Sequence, residues 1–574
     1  MKASKKRGFT IIELVIVIAV IAILAAVLIP TFANIIQKAN VANDVALARN
    51  MNTILIADEA TNGRSTDMYD VLIALEQGGF KLENLNPRAD GNVFAWDKAN
   101  NQIVYLDKKN PDKPIFQAKE IGANKGDLYI TTRKAEVFAD YPGYSYYFAS
   151  DISGDITLKG GSCLDTGEFA LDGNVSVETD KDVEIHGTIN NTITVNSANG
   201  KITNYSVVKN VVIVNTAVTS YHERGHVAAM EIQNSLTGKV VLENDAYVEK
   251  LTNNKTNGTV ENNGFVKEVA GTDTSVPATG SEYVLEIGTY DQLVNFRNKV
   301  NAGASYSGMT VNLTADIDIS ERAWTPIGAV YRRDINAKSS VFQGTFDGQG
   351  HKITGLTNTG FKISSVFSGG NDTTPEGYKE YVFGLFGSVY NATIKDIVMA
   401  NVNIDLACDE KEKVVGDSVG AIVGFAAGDK KTGVTIDSCK VLSGSIVGYD
   451  AVAGIVGRSY SGKITIENCE NAATVTAIRR ACGILGYTNT SYIKDGGSAA
   501  ITNCTNSGNV KQTCTPDTDP AGKENLSYYQ VAGLAICGGK DAVKITITGS
   551  VNNGTITLTA NGKQDKTVLY SEKK

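Results

Sequence analysis

Residues 5–32 read KKRGFTIIELVIVIAVIAILAAVLIPTF, and one position decides how the chain begins. From Phe9 to Gln37 the single charged side chain is Glu13. Leu14 to Ile29 is entirely apolar, enough for most of a bilayer span, which needs about 20 apolar residues as a helix. Lys2, Lys5, Lys6 and Arg7 precede it, a charge asymmetry that holds the N-terminus in the cytoplasm. A secretory signal would have a shorter apolar core with small residues behind it, whereas here the small residue, Gly8, comes first. A carboxylate at membrane depth costs about 2.5–3.5 kcal/mol near the centre and persists where it gains a partner. The plain alternative is an ordinary membrane anchor whose Glu13 snorkels to the interface.

The apolar run continues as NIIQKANVANDVALARNMNTILIADEATNG, with Val41, Val45, Ala48, Met51, Ile54 and Leu55 at three- and four-residue steps. This spacing predicts a helix over 9–62, membrane-spanning over about 11–36, with a second half that packs on something. From Thr10 to Thr61 it would be roughly 78 Å long.

The stretch around Gly8, Phe9 and Glu13 resembles the leader of type IV pilins and pseudopilins. The resemblance implies that residues 1–8 are a leader removed by prepilin peptidase after Gly8, and that Phe9 becomes an N-methylated terminus. It also implies that Glu13 is an assembly residue, neutralising the Phe9 amine of a neighbouring subunit, and that Pro30 loosens the helix. Other pilin subunits, the membrane assembly machinery and, before assembly, membrane lipid are the implied partners. The implied location is the cytoplasmic membrane first, then an extracellular filament or the cell surface.

Residues 63–114 read as a small α+β head. STDMYDVLIALEQGGF predicts a short helix with Ser65 or Thr66 as N-cap and Gly78–Gly79 as its stop. NVFAWDKANNQIVYLD predicts a hairpin with Val93, Ala95, Ile103 and Tyr105 alternating. Length alone suggests three to four units.

Over 115–274, short strands such as DITLKG, NVSVET, DVEIHG and KVVLEN recur every 8–12 residues between Asn/Gly turns. A β-sandwich and an irregular solenoid both fit, and the turn chemistry favours the solenoid. The stretch includes His222-Glu223-Arg224-Gly225-His226. On a helix, such a motif places two histidines on one face for zinc, with the glutamate as base. The flanks read as strands, and Gly225 weakens a helix by about 1 kcal/mol. A solvated turn is the blander reading.

After about Tyr283 the chain repeats. ITGL at 353, IKDI at 394, IDSC at 436, IENC at 466, ITNC at 501 and ITGS at 547 are spaced by 41, 42, 30, 35 and 46 residues. GLFG, AIVG, GIVG, GILG and GLAICGG fall between them. Fixed strand pairs with loops of varied length indicate stacked coils. Ile353, Ile394, Ile436, Ile466, Ile501 and Ile547 are expected in one column. Leu356, Ile397, Cys439, Cys469, Cys504 and Ser550 are expected in the next, with cysteine acting as a small buried apolar residue. Stacked cysteines could also pair by oxidation. The stretch 283–560 resembles the GLUG repeats of bacterial surface proteins, which implies a right-handed parallel β-helix capped by the helix in TYDQLVNFRNKVNAG. Asp316, Asp318 and Asp347 are acidic loop positions where a cation is imaginable and solvated turn carboxylates are the simpler reading. Residues 561–574 read as a tail.

The fold expected is therefore multi-domain: a long N-terminal helix with a small α+β head, a mainly-β region, then a parallel β-helix. A net charge of −8 gives no reason to expect nucleic acid, and the eight cysteines include no CxxC pair. No cofactor, metal or catalytic set is implied. The function expected is a surface-exposed pilin-like subunit, minor or at the tip because so large a head crowds filament packing. It would display its β-region to an extracellular glycan or protein. The alternatives are a membrane-anchored β-helix enzyme acting on carbohydrate and, below it, a zinc peptidase using the 222–226 motif.

Overall fold

The computed structural model describes residues 11–572 apart from 66, 82–84, 161–162, 197–198, 216, 235, 237, 256–259, 274, 277, 280–282, 321–322, 329–339, 359–378, 409–413, 490–496, 516–528, 539–543 and 560–569. Gly8 and Phe9 lie outside the described residues, as does most of the 561–574 tail.

The chain forms two compact units. Length suggests more, but the sheet begun by the hairpin runs on past Pro114 and merges the head with the strands that follow. In the first unit, α1 (Ile11–Asn62) is one unbroken helix through Pro30. α2 (Met68–Gln77) follows. Its N-cap is Asp67, whose side chain accepts from Asp70 N, and not Ser65 or Thr66. An aspartate at β-region φ satisfies an orphan N–H of the first turn, so the helix starts one or two residues later than the serine and threonine suggest. Gly78 ends α2 as expected, with its N–H returning to Ala74 O.

Val93–Asp97 and Gln102–Leu106 form the antiparallel hairpin, in register from Val93↔Leu106 to Asp97↔Gln102. Val93–Asp97 also pairs antiparallel with Leu128–Thr132. Beyond this the described ladders of the unit turn parallel: Tyr146↔Leu164, Leu164↔Ile185 and Ile185↔Asn204 in one run, Ile156↔Val175↔Ile193↔Val212 in another. Ile156, Val175, Ile193 and Val212 are buried, as are Leu158, Val177, Val195 and Val214 two residues on. Alternation buries one face of each strand, and stacking each strand on its equivalent in the next coil extends that face into a continuous core.

Among the described residues the second unit holds five parallel sheets, of eight, seven, five, six and five strands. Successive strands of the chain fall in different sheets, and each sheet pairs with the equivalent strand of the next coil. Its main core is a cluster that extends from Tyr247 to Ile556. α3 (Tyr290–Asn301) is capped by Thr289 and sets Leu293, Phe296 and Val300 into that cluster.

The repeat columns form, with one displacement. Ile394, Ile436, Ile466, Ile501 and Ile547 do stack in register. Their neighbour on the preceding coil is Phe346, not Ile353. Ile353 pairs with Ile317 and Met399 in the adjacent sheet. Leu356 is displaced with it, lying beside the strand that begins at Val402, since Leu356 O accepts from Asn403 N. The reason is a shared corner. Asp396, Ser438, Asn468, Asn503 and Gly549, third in their tetrads, are left-handed, and so is Gly355. The left-handed turn favours Gly, Asn and Asp in either corner, so ITGL imitates a tetrad one corner further along.

Cys439, Cys469 and Cys504 are buried and free, stacked by register behind Ile397. Each Sγ leans on a main-chain oxygen of the preceding coil: Ile394 O at 3.7 Å, Ile436 O at 3.7 Å and Ile466 O at 3.5 Å. Burial without a disulfide predicts that a thiol reagent labels all three only after denaturation. Labelling at the folded-state rate of an exposed thiol would contradict the packing.

In the neighbouring sheet the inward column runs Ile353–Met399–Val441 and then changes to Asn471, Asn506 and Asn552. Asn471 Nδ2 donates to Asn506 Oδ1 at 2.8 Å, and Asn506 Nδ2 donates to Asn552 Oδ1 at 2.7 Å. Glycines of the GxxG corners lie against these amides. A Cβ on Gly483 would fall 2.3 Å from Asn506 Cγ and 2.2 Å from Gly533 O, so close approach, not a left-handed φ, requires glycine there.

Candidate functional site

The first half of α1 is the surface that the head does not cover. Ile11 is 81% exposed and Ile36 58%, with large apolar side chains open along the stretch between. By length and composition α1 can cross a membrane, and its most apolar stretch has no buried residue. Glu13 sits in its first turn, where the helix dipole favours a negative charge.

The second half of α1 is held by the head. Ala48, Met51 and Leu55 join Val71, Leu75, Phe94, Trp96, Ile103 and Tyr105 in one core. Val45 and Ile54 pack against it, as the heptad-like spacing requires. Two polar clamps add direction. Asp44 is 1% exposed and accepts from Arg88 N at 2.8 Å, Ala89 N at 2.9 Å and the Tyr105 hydroxyl at 2.8 Å. Burial is the main reason the Tyr105 phenol is pushed well above its ordinary range. Asn52 donates to Ile103 O at 2.9 Å and accepts from Ile103 N at 2.7 Å. Sequence reading missed both. Their signal is a polar residue on the apolar stripe of an amphipathic helix, in step with Val41, Val45, Ala48 and Leu55.

The residues 222–226 do not make a zinc site. The strand Ser220–Glu223 ends with the first His-Glu pair and His226 opens the next strand, with a corner between. Extended chain does not put residues four apart on one helix face. Glu223 accepts from Gly225 N at 2.7 Å, as a corner carboxylate does. His226 Nε2 stands 3.6 Å from Glu249 Oε1. With Lys267 at 2.7 Å, this holds the Glu249 carboxyl down at about 2 against its partial burial. Asp316 accepts from Lys352 N, Asp318 from Ser320 N and Asp347 from Gln349 N, all within 2.9 Å, so these are turn carboxylates. Among the described residues no group of three or more His, Cys, Asp or Glu is arranged to hold a metal ion.

A charged network unmarked by any motif lies in the second unit, between two of its sheets. A small separate core of Phe425, Ala451, Ala453, Tyr460, Cys482 and Tyr487 surrounds it. Arg458 donates to Asp450 Oδ2 at 2.8 Å, to Asp417 Oδ1 at 3.1 Å and to Ser418 Oγ at 2.9 Å. Arg480 bonds the other oxygen of Asp450. The Arg480 and Arg458 guanidinium carbons lie 4.3 and 5.1 Å from the Tyr487 ring centre, and Arg479 lies 4.7 Å from that of Tyr449. All five charged side chains are at most 7% exposed, so the network holds the coils and faces no solvent.

Comparison with known proteins bears on the N-terminal end. A family model for the prokaryotic N-terminal methylation motif matches residues 3–29. The chain is similar to the type IV major fimbrial protein FimA of Dichelobacter nodosus strain VCS1703A, 35% identical over 94 residues, covering 16% of this chain and 57% of that protein. It is also similar to a fimbrial protein of Moraxella nonliquefaciens, 44% identical over 98 residues, covering 16% of this chain and 63% of that one. The chain thus spans less than two thirds of the length of these relatives. The similarity, the exposed apolar helix and the single acidic residue at Glu13 together make this a type IV pilin-like N-terminus, followed by a large β-rich region with parallel sheets.

Proposed function

We propose that this protein is a pilin-like subunit, minor or at the tip of a filament, which carries a right-handed parallel β-helix outside the cell for adhesion. The observation that carries the reading is α1: one helix, bare and apolar over its first half, clamped to a small head over its second. A bare apolar half-helix needs either lipid or other subunits around it. Prepilin peptidase cuts between Gly8 and Phe9, and the new Phe9 amine pairs with Glu13 of a neighbour as the helix leaves the membrane. The parallel registers of the second unit, coil on coil, support a β-helix, and the handedness follows from the right-handed preference of parallel crossovers. The coil surfaces present a glycan or protein ligand site, without catalysis.

Mass spectrometry of the mature N-terminus tests the first step. The expected result is a chain that starts at N-methylated Phe9. A chain that keeps Met1 would leave only an anchored surface protein. A Glu13→Val variant is expected to be cleaved normally and to be lost from sheared filaments.

A further inference from the structure

Lys299 is on the buried face of α3 and is 2% exposed. Its Nζ donates to the main-chain oxygen of Asp245 and stands 4.0 Å from Asp245 Oδ2. Asp245 belongs to the turn before the strand Tyr247–Asn253. The coil below it is Glu223–Gly225: Glu223 O accepts from Glu243 N and Gly225 O from Tyr247 N, both at 2.9 Å. This stacking brings Arg224 Nε to 3.0 Å from Asp245 Oδ1. It also brings the fully buried Glu223 near enough to act on the Lys299 charge. Aromatic rings cluster in the core that α3 enters, with Tyr306 5.3 Å from Tyr247 and 5.0 Å from Phe296.

As a salt bridge this arrangement is poor. The ammonium makes its close contact with a carbonyl, and its carboxylate is at the limit of pairing distance. A buried ion pair needs excellent geometry to offset desolvation. As a reacting pair it is well placed. We propose that Lys299 and Asp245 are joined by an isopeptide bond that forms within the folded chain, with Glu223 as the proton carrier.

Glu223 first carries one proton from the Lys299 ammonium to Asp245 Oδ2, and the uncharged Nζ then adds to Cγ of the neutral acid as the C–N bond forms. Glu223 takes a second proton from the nitrogen and delivers it to Oδ2. The Cγ–Oδ2 bond then breaks and one water leaves. Arg224, on Oδ1, stabilises the negative charge that builds there before the carbonyl reforms. An ammonium and a carboxylate become an amide and a water, nothing is oxidised or reduced, and Glu223 ends as it began. Burial lowers the Lys299 pKa, against Asp245 and Glu223, which raise it, and this favours the nucleophilic amine. The product removes two buried charges and ties α3 to the coil beneath.

Tryptic mapping of the full chain, extracted in detergent, tests this. The expected result is peptide 240–250 joined to 298–322, uncut after Lys299 and about 18 Da (one water) lighter than the two peptides together. The linked species should be absent from Lys299→Arg and from Asp245→Ala. Glu223→Gln should lose most of it while keeping the far-UV circular dichroism of the parent. Free 240–250 and cleavage after Lys299 in the parent chain would overturn the proposal, and a link that persists in Glu223→Gln would overturn the role of Glu223.

Discussion

Asp450→Ala is expected to cost about 3–5 kcal/mol, because it removes a buried carboxylate that two buried guanidiniums both bond. Arg458 and Arg480 each bond one oxygen of this carboxylate, and Asp417 offers only a second contact to Arg458. Urea unfolding of the parent and the variant measures the effect. A loss under about 1 kcal/mol would mean that water reaches the arginines, which contradicts their burial. Adding Arg480→Leu to Asp450→Ala should recover part of the loss, since it removes a stranded charge. The network also sets an acid limit. Burial alone would raise the Asp450 carboxyl, but Arg480, Arg458 and Arg479 outweigh it and hold the group well below the usual carboxylate range. A depressed folded-state pKa stabilises fully above the unfolded value of about 3.9 and is lost as pH falls below it. Acid unfolding should therefore shift to higher pH in Asp450→Ala.

Asn506→Ala should have the next largest effect, about 2–4 kcal/mol. Asn506 accepts from Asn471 and donates to Asn552 Oδ1 and to Gly508 O at 2.9 Å, with no exposure. Alanine takes the donor from the buried Gly508 O and from Asn552 Oδ1, and opens a cavity under Gly483. The same substitution at Asn552, which is half-buried at the end of the ladder, should cost clearly less. Equal losses at the two sites would mean that the ladder does not act as a chain.

The beginning and the repeats were legible because each imposes a local rule. The apolar run and Glu13 mark α1 by composition alone. The hairpin was legible but its faces were not: the register pairs Phe94 with Tyr105 and Trp96 with Ile103, so Val93 and Ala95 lie on the opposite face, and every residue of both strands is buried. The recurring tetrads marked the coil spacing, and they misled at ITGL because Gly355 takes the left-handed conformation of their third residue at another corner. The buried network had no local mark. Asp450 and Arg480 are 30 residues apart, the same as the step from Ile436 to Ile466, and Asp417 and Arg458 are 41 apart, near the longer steps. Opposite charges one coil apart are neighbours only once the coil length is known at that place. Asp44 and Asn52 were hidden differently: apart from the Tyr105 hydroxyl their partners are main-chain groups, which no sequence pattern displays.

Those two residues also determine how the head would bear a pull. They lie eight residues apart on α1, roughly 12 Å along the rod. The head is therefore gripped at two heights, by Arg88 and Ala89 at one and by Ile103 at the other. A single grip would let the head pivot about the rod. Two grips resist torque and divide tension between them, so the joint should yield by both clamps failing together and not by peeling from one end.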